Sequence, residues 1–277
     1  MVRDALRGTR FAHAPSVQRI YGALIPCLKD TSRPVMVLGH EMVLDGQDNL
    51  ALSVVGYHER MITSLIQQIV RPGDIVVDIG AHIGYYTLLL ARSVGVSGHV
   101  YAFEPDVDNF SLLKENVGRN GYERSVTIEQ MAIADTPGTV ALYHSTSTGD
   151  HRIYDSGNDR ERTLTQASTL DTYFCNQERI NFIKMDIQGA EALALRGSSR
   201  TLARNQDVQM ITEFWPFGLM MAGTDPDDYV QSLEQLGFHL HLIDNARGTK
   251  EAVGSAGLIG KYDKYLDNWS GDLYCTR

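Results

Sequence analysis

Apolar residues along this chain form short runs separated by stretches with helical spacing. Residues 75–77 read Ile-Val-Val, and a continuous β-branched run is typical of a strand buried on both faces of a parallel sheet. Similar runs predict further strands at residues 99–103, 126–133, 181–185, 208–212, 238–243 and 273–275. Helices are predicted between them, at residues 83–93, 106–120, 190–202 and 225–236. This alternation predicts an α/β fold, with a mostly parallel sheet and helices on both of its faces.

The first 70 residues lack this regular alternation. Their pattern predicts a helix at residues 15–25 that ends at Pro26, short strands at 35–38, 42–44 and 51–55, and a helix at 58–70. We therefore predict an N-terminal annex at residues 1–70 and a main domain at 71–277. Residues 144–165 form a polar insertion in that domain, and a long polar segment of this kind predicts a lid or a binding loop.

Composition narrows the range of partners. The chain has 277 residues, of which 43% are hydrophobic, and a net charge of −9. Nucleic acid is not expected, because an acidic protein repels polyphosphates. The three cysteines, Cys27, Cys175 and Cys275, lie far apart in the chain, which favours reduced thiols in a cytoplasm. No apolar run reaches the roughly 20 residues that span a bilayer, so we expect a cytoplasmic protein that does not enter membranes.

A glycine-containing turn follows the first predicted strand of the main domain. In the segment from Asp78 to Gly84, His82 stands where a dinucleotide-binding fingerprint has its middle glycine. This bulky residue favours a nucleoside ligand that lacks a pyrophosphate. Glu104 ends the next strand, roughly 20 residues beyond the turn, which is the spacing of an acid that binds ribose hydroxyls. The alternative is an ordinary tight turn between strand and helix, with Asp106 as a helix cap.

These residues belong to a longer pattern. The stretches VVDIGAHIGYYTLLL, YAFEPDVDNFSLLKENV, AIAD and IKMDIQGAE resemble the FkbM family of S-adenosylmethionine-dependent methyltransferases. The resemblance implies a Rossmann-like class I methyltransferase fold with seven strands, the last of them antiparallel. It also implies O-methylation of a small hydroxylated molecule, a natural product or a saccharide. The family pattern usually reads Asp-x-Glu-Gly-x-Glu, and this chain has Gln188 in place of its first glutamate.

The turn and the resemblance together imply a site for S-adenosylmethionine. Met131 and Ala132, at the end of the third strand, are expected beside the adenine, although the side chain of Met131 is equally well explained as core. Glu59 is expected near the amino group of the cofactor. The full set of expected cofactor-binding residues is Glu59, Asp78, Gly80, Ala81, His82, Gly84, Tyr85, Thr87, Glu104, Pro105, Asp106, Asn109, Met131, Ala132 and Asp186.

Candidate catalytic residues follow from the need to deprotonate an alcohol. Asp186 and Glu213 end two later strands, so they either bind Mg²⁺ together with the acceptor hydroxyl or supply a base. The metal reading is incomplete, because Phe214 rather than a further acid or amide follows Glu213. The alternatives are a helix cap for Asp186 and a structural acid for Glu213. His151, in the insertion, is a second candidate base if the insertion folds over the site, and otherwise a solvated loop histidine.

Two other classes of function remain open at this point. One is methylation of a protein or a nucleic acid, for which the sequence shows neither a basic groove nor an appended reader domain. The other is a cofactor-binding protein without catalysis, against which the intact glycine turn and Glu104 argue.

Overall fold

The computed structural model describes residues 28–157, 159–175, 179–245, 247–258, 260–267 and 269–277. The helix predicted at residues 15–25 lies outside these ranges. The chain divides into two compact units, Met1–His58 and Glu59–Arg277. The boundary between them along the chain falls before the one predicted at residue 70, because the helix Arg60–Ile69 belongs to the larger unit.

The described part of the smaller unit contains a hairpin and one helical turn. Strands β1 (Val35–Val37) and β2 (His40–Met42) pair antiparallel. The strand predicted at residues 51–55 is wrong, because Leu52–Val55 forms helix α1. The carboxylate of Asp48 accepts the backbone N–H groups of Leu52 at 2.7 Å and Ser53 at 3.0 Å. This side-chain contact starts the helix, which a short apolar run alone cannot distinguish from a strand.

The larger unit alternates strands and helices. Its strands are β3 (Ile75–Ile79), β4 (His99–Phe103), β5 (Val126–Glu129), β6 (Ala132–Ile133), β7 (Gly138–Tyr143), β8 (Arg162–Ser168), β9 (Phe182–Met185), β10 (Gln209–Phe214), β11 (His239–Asp244), β12 (Thr249–Val253) and β13 (Gly271–Thr276). Its helices are α2 (Arg60–Ile69), α3 (Tyr85–Val94), α4 (Val107–Arg119), α5 (Leu170–Tyr173), α6 (Glu191–Arg196), α7 (Ser199–Arg204), α8 (Pro216–Met221), α9 (Pro226–Gln235) and α10 (Ser255–Leu258).

The main sheet has the order β12-β11-β13-β10-β9-β3-β4-β5. Strands β10, β9, β3, β4 and β5 are parallel to their neighbours in this series, and β13 is antiparallel to both β10 and β11. The predicted Rossmann-like α/β fold with an antiparallel last strand is therefore confirmed. The sheet carries an eighth strand beyond the seven expected, because β12 folds back on β11 as an antiparallel hairpin.

Burial explains the central position of β3 and β9. All four residues of β9, and the last four of β3, are buried. Since successive side chains of a strand point to opposite faces, the sheet is covered on both faces here. The sheet continues with β4 and β5 on the β3 side of this pair, and with β10 on the β9 side. Ligands of open α/β sheets bind beyond the carboxyl ends of the strands at the point where the strand order reverses in this way.

Two predicted elements are divided in the structure. The strand predicted at residues 126–133 ends as β5 at Glu129, at the edge of the main sheet, and β6 joins a separate sheet of order β6-β8-β7. The helix predicted at residues 190–202 breaks at Gly197 into α6 and α7. A Cβ at Gly197 would lie 2.1 Å from the carbonyl oxygen of Ala134, so this close backbone approach interrupts the helix.

The polar insertion is shorter than predicted. Residues 162–165 belong to β8, which pairs antiparallel with β7. Residues 144–161 form the connection that remains between β7 and β8. An isolated antiparallel β-bridge between Tyr143 and Arg152 pairs this connection with the end of β7. None of the described helices has the length and apolar character that crossing a bilayer would need.

Candidate active site

A cleft that is open to solvent lies at the carboxyl ends of β3, β4 and β9. Polar and apolar groups from five chain segments meet in it. Its lining residues are Ile79, Gly80, His82, Phe103, Glu104, Pro105, Asn109, Met131, Ala132, Ile133, Leu142, Thr148, Gly149, His151, Ile153, Asp186, Ile187 and Gln188. The cleft thus brings together the glycine turn, the predicted ribose acid, the predicted adenine segment and two of the candidate catalytic residues.

Gly80 is the tightest point of the glycine turn. Its φ is 81°, and an added Cβ would lie 1.9 Å from the carbonyl oxygen of Asp186. Glycine is therefore required because the end of β9 approaches the turn, and not only because a ligand does. The turn also accepts a non-glycine residue at positive φ, since His82 has a φ of 50°.

Glu104 lies buried at the end of β4. Its Oε2 accepts the backbone N–H of His82 at 2.8 Å, and its Oε1 accepts the backbone N–H of Asp106 at 3.0 Å. Burial raises the pKa of Glu104 to about 7, and these two hydrogen bonds oppose that rise. The carboxyl group therefore joins the turn to the start of α4, and it is only partly ionised near neutral pH.

Asp106 is the cap of helix α4. Its Oδ1 accepts the backbone N–H groups of Asp108 and Asn109 at 3.0 and 2.9 Å. Its Oδ2 faces Nδ1 of His144 at 3.4 Å and Nε2 of His151 at 3.7 Å. The N-cap role considered for this residue is thus present, and the same carboxylate also faces two histidines of the insertion.

The tautomer of His151 follows from these contacts. Its Nδ1 accepts the backbone N–H of Ser145 at 3.0 Å, so in the neutral ring Nε2 carries the hydrogen and faces Asp106. Burial lowers the pKa of His151, and the charge of Asp106 opposes this lowering. Asp106, His144 and His151 are close enough to share a metal ion. A metal on Nε2 would nevertheless move the ring hydrogen to Nδ1, where it would oppose the N–H of Ser145.

The insertion forms one wall of the cleft through Thr148. The carbonyl oxygen of Thr148 accepts Nδ2 of Asn109 at 2.9 Å, and its hydroxyl lies 2.9 Å from Nε2 of His82. Both partners were predicted to bind the cofactor. Residues 144–161 therefore contact the expected cofactor site. The polar composition of the insertion predicted a lid or a binding loop, but not which residues it would contact.

Several predicted cofactor residues lie outside the set that lines the cleft. Asp78 is buried, accepts the hydroxyl of Thr87 at 2.6 Å, and has a pKa that burial raises to about 6. Glu59 accepts the hydroxyl of Tyr86 at 2.5 Å. The first contact joins α3 to β3, and the second joins α3 to the start of α2. The remaining residues with such supporting positions are Ala81, Gly84 and Tyr85, the last bonded to Thr63 at 2.8 Å.

Asp186 and Glu213 lie together at the ends of β9 and β10. Oδ2 of Asp186 contacts Nζ of Lys184 at 3.1 Å, and its Oδ1 accepts Nε2 of Gln188 at 2.9 Å. Oε2 of Glu213 accepts the same nitrogen at 3.2 Å. Burial raises the pKa of Glu213 well above its ordinary value, and the charges of Asp186 and Glu191 raise it further. Asp186, 30% exposed, is the member of this pair that lines the cleft.

The cap of helix α6 is not Asp186. The cap position is Ala190, and Oε1 of Glu191 accepts the backbone N–H groups of Ile187 at 2.9 Å and Gly189 at 3.3 Å. Because Glu191 holds this loop, the carboxylate of Asp186 is directed to Lys184 and Gln188 instead. Sequence reasoning missed the part played by Gln188. Only its substitution in the family pattern drew attention to the position, and its contacts depend on residues far away in sequence.

The arrangement does not fit a magnesium ion on Asp186 and Glu213. Mg²⁺ requires about six oxygen ligands at about 2.1 Å. Here both oxygens of Asp186 contact nitrogen donors, and the group shared by the two carboxyl groups is an amide nitrogen. Asp186 and Glu213 are therefore carboxyl groups held by nitrogen hydrogen-bond donors, and not ligands of a metal ion.

A family model described as the methyltransferase FkbM domain matches residues 78–240. The chain belongs to this family. It is an S-adenosylmethionine-dependent methyltransferase, and the match covers the glycine turn, Glu104, Asp186 and Glu213.

Curated relatives and a solved structure are similar to this methyltransferase. A hexuronic acid methyltransferase of Haloferax volcanii is 23% identical over 179 residues, which cover 64% of this chain and 68% of the relative. A 2-O-methyltransferase of Sinorhizobium fredii is 26% identical over 166 residues, covering 53% of this chain and 65% of the relative. The structure of the FkbM methyltransferase from Methylobacillus flagellatus has 16% identity and a TM-score of 0.46, with 95% of this chain and 60% of that one covered.

Proposed function

We propose that this methyltransferase methylates a hydroxyl group of a small molecule, most specifically of a saccharide. The observation that carries the proposal is the partly exposed carboxylate of Asp186, which lines the same cleft as the glycine turn and Glu104. The names of the two curated relatives, a hexuronic acid methyltransferase and a 2-O-methyltransferase, support a saccharide acceptor. The net charge of −9 disfavours a nucleic acid acceptor.

The cleft offers suitable groups for each part of the cofactor. Glu104 lines the cleft and is the proposed acceptor of hydrogen bonds from ribose hydroxyls, and the apolar side chains of Met131 and Ile133, which also line it, are proposed to cover the adenine. When bound, S-adenosylmethionine supplies an electrophilic methyl group on its sulfonium sulfur. We therefore assign Gly80, His82 and Asn109, together with Glu104 and Met131, to cofactor binding.

Asp186 is the proposed base. An alcohol is a weak nucleophile until a positioned group removes its proton, and Asp186 is a partly exposed acid at the end of β9. Lys184 contacts one carboxylate oxygen of Asp186 and so stabilises its charged form. Glu213 lies behind it, outside the lining of the cleft. His151 also lines the cleft, but its Nε2 carries the hydrogen and its Nδ1 is bonded to Ser145, so it is the weaker candidate.

The test begins with calorimetric binding of S-adenosylhomocysteine to the wild-type protein. A panel of uronic acids, neutral saccharides and phenols is then screened with S-adenosylmethionine for release of that product. With an acceptor identified, Asp186→Asn should keep cofactor affinity while turnover falls on the order of 10²–10⁴-fold, the usual contribution of a positioned base. Asp207→Asn is the matched control, because Asp207 is 93% exposed. If Asp186→Asn turns over like the parent enzyme, Asp186 is not the base.

A further inference from the structure

The side-chain amide of Gln188 lies between the two carboxyl groups of the site. Its Nε2 is 2.9 Å from Oδ1 of Asp186 and 3.2 Å from Oε2 of Glu213. An ionised carboxylate only accepts hydrogen bonds, whereas an amide nitrogen carries two hydrogens. The contacts therefore fix the orientation of the amide, with its NH₂ group toward both acids. One side chain links the acidic ends of two neighbouring strands.

The backbone holds this amide in place. Gln188 has a φ of 57°, a conformation that is strained for a residue with a Cβ and persists only when its surroundings enforce it. The hydroxyl of Tyr154 donates to the carbonyl oxygen of Gln188 at 2.6 Å. On either side, Glu191 accepts the N–H groups of Ile187 and Gly189. The direction of the amide is thus set by contacts from two separate chain segments.

Charge explains what this amide contributes. Two neighbouring carboxylates repel each other unless a cation, a proton or a hydrogen-bond donor lies between them. Lys184 contacts Asp186 from the opposite oxygen, whereas Gln188 contacts both acids. The bridging position between them is therefore taken by a neutral donor.

We propose that Gln188 is a positioning residue whose amide replaces a bridging metal ion, so that Asp186 is held for catalysis without a divalent cation. The role of Asp186 as the base rests on the proposed function, but the bridging contacts do not. The proposal is therefore tested by metal binding and stability, without measuring methyl transfer. A failed acceptor screen would leave these measurements unchanged, and the two failures are distinguishable.

The first test replaces the donor with a third carboxylate. Gln188→Glu preserves the length of the side chain and removes both N–H groups. We expect this variant to bind Mn²⁺ in calorimetry with a Kd on the order of 10⁻⁵–10⁻³ M, since carboxylate oxygens are the ligands of such ions. Its melting temperature should rise by several degrees with about 1 mM Mn²⁺. Gln166→Glu is the matched control, because Gln166 is exposed on β8 and its replacement adds the same charge.

The wild-type protein and Gln166→Glu should show no saturable Mn²⁺ binding. Wild-type binding as tight as that of Gln188→Glu would overturn the proposal, because the amide would then not occupy the position of the ion. A folded Gln188→Glu variant that binds no Mn²⁺ would overturn it equally.

A second test applies even if Gln188→Glu does not fold. Gln188→Leu removes both hydrogen bonds and should lower the melting temperature at pH 8 by several degrees. Adding Glu213→Gln to this variant should recover most of the loss, because it replaces the buried carboxyl group that has lost its hydrogen-bond donor with a neutral amide that can donate to Asp186. A packing role for Gln188 predicts no such recovery. Absence of recovery, or a Gln188→Leu variant as stable as the wild type, would refute the cation-replacing role.

Discussion

Titration of Glu104 should make cofactor binding depend on pH. The ribose hydroxyls of the cofactor are proposed to donate to this carboxyl group, which already accepts the N–H groups of His82 and Asp106. Only the ionised form of Glu104 can accept all of these hydrogen bonds, because in the protonated form one oxygen carries a hydrogen and acts as a donor. Because the pKa of Glu104 in the free protein is about 7, binding below that pH must first release a proton.

The magnitude follows from this pKa. If only the ionised form binds, the apparent Kd at pH 5.5 should be about 25-fold weaker than at pH 7.5. The same carboxyl group affects folding in the opposite sense from a salt-bridged acid. Its folded pKa of about 7 lies above its ordinary value of 4.5, so the folded state holds the proton more tightly. Its stabilising contribution is present below pH 4.5 and is lost as pH rises to about 7, with an upper limit of about 3 kcal/mol.

The assay is calorimetric titration with S-adenosylhomocysteine at a series of pH values between 5.5 and 7.5. Glu104→Gln should weaken binding at pH 7.5 by about 1–3 kcal/mol and remove most of the pH dependence, because a charge-assisted hydrogen-bond acceptor is lost. Glu129→Gln is the control, since Glu129 ends the neighbouring strand and bonds to Tyr173. It should keep the pH dependence of the wild type.

Two results would refute this reasoning. A wild-type Kd that stays constant from pH 5.5 to 7.5 would show that binding does not require ionised Glu104. A pH dependence that persists unchanged in Glu104→Gln would assign the titration to another group near the cleft, with His82 and His151 as the nearest alternatives.

Two further predictions concern the turn and the insertion. Gly80→Ala should lower the free energy of unfolding in urea by several kcal/mol, because the new Cβ would meet the carbonyl oxygen of Asp186. The control Gly121→Ala, also at positive φ but in open space, should lower it by about 1 kcal/mol. Equal losses of stability would contradict a close approach at Gly80. Hydrogen exchange of residues 144–157 should slow when S-adenosylhomocysteine binds, because Thr148 contacts His82 and Asn109; unchanged protection would count against a lid.

The parts of the site that could be predicted depend on residues close together in sequence. The glycine turn and Glu104 lie in one strand–helix–strand unit, whose spacing is fixed by the geometry of that unit. The contacts of Gln188 were not predictable in the same way. They require β10 to lie beside β9 and Tyr154 to reach the loop after β9. The same limitation explains the helix at Leu52–Val55, where a contact from Asp48 decided between two structures that the apolar pattern allowed equally.

The contact between Gly80 and Asp186 joins the cofactor turn to the proposed base through backbone atoms. The N–H of Asp186 donates to the carbonyl of Ile79 at 3.0 Å, and the carbonyl of Asp186 packs against Gly80. The position of the base relative to the cofactor turn is therefore set by the pairing of β3 with β9. The insertion instead contacts the cleft through loop residues, among them Thr148 and His151. Changes in the insertion should accordingly alter which acceptor binds and how tightly, while the alignment of Asp186 with the cofactor turn is preserved.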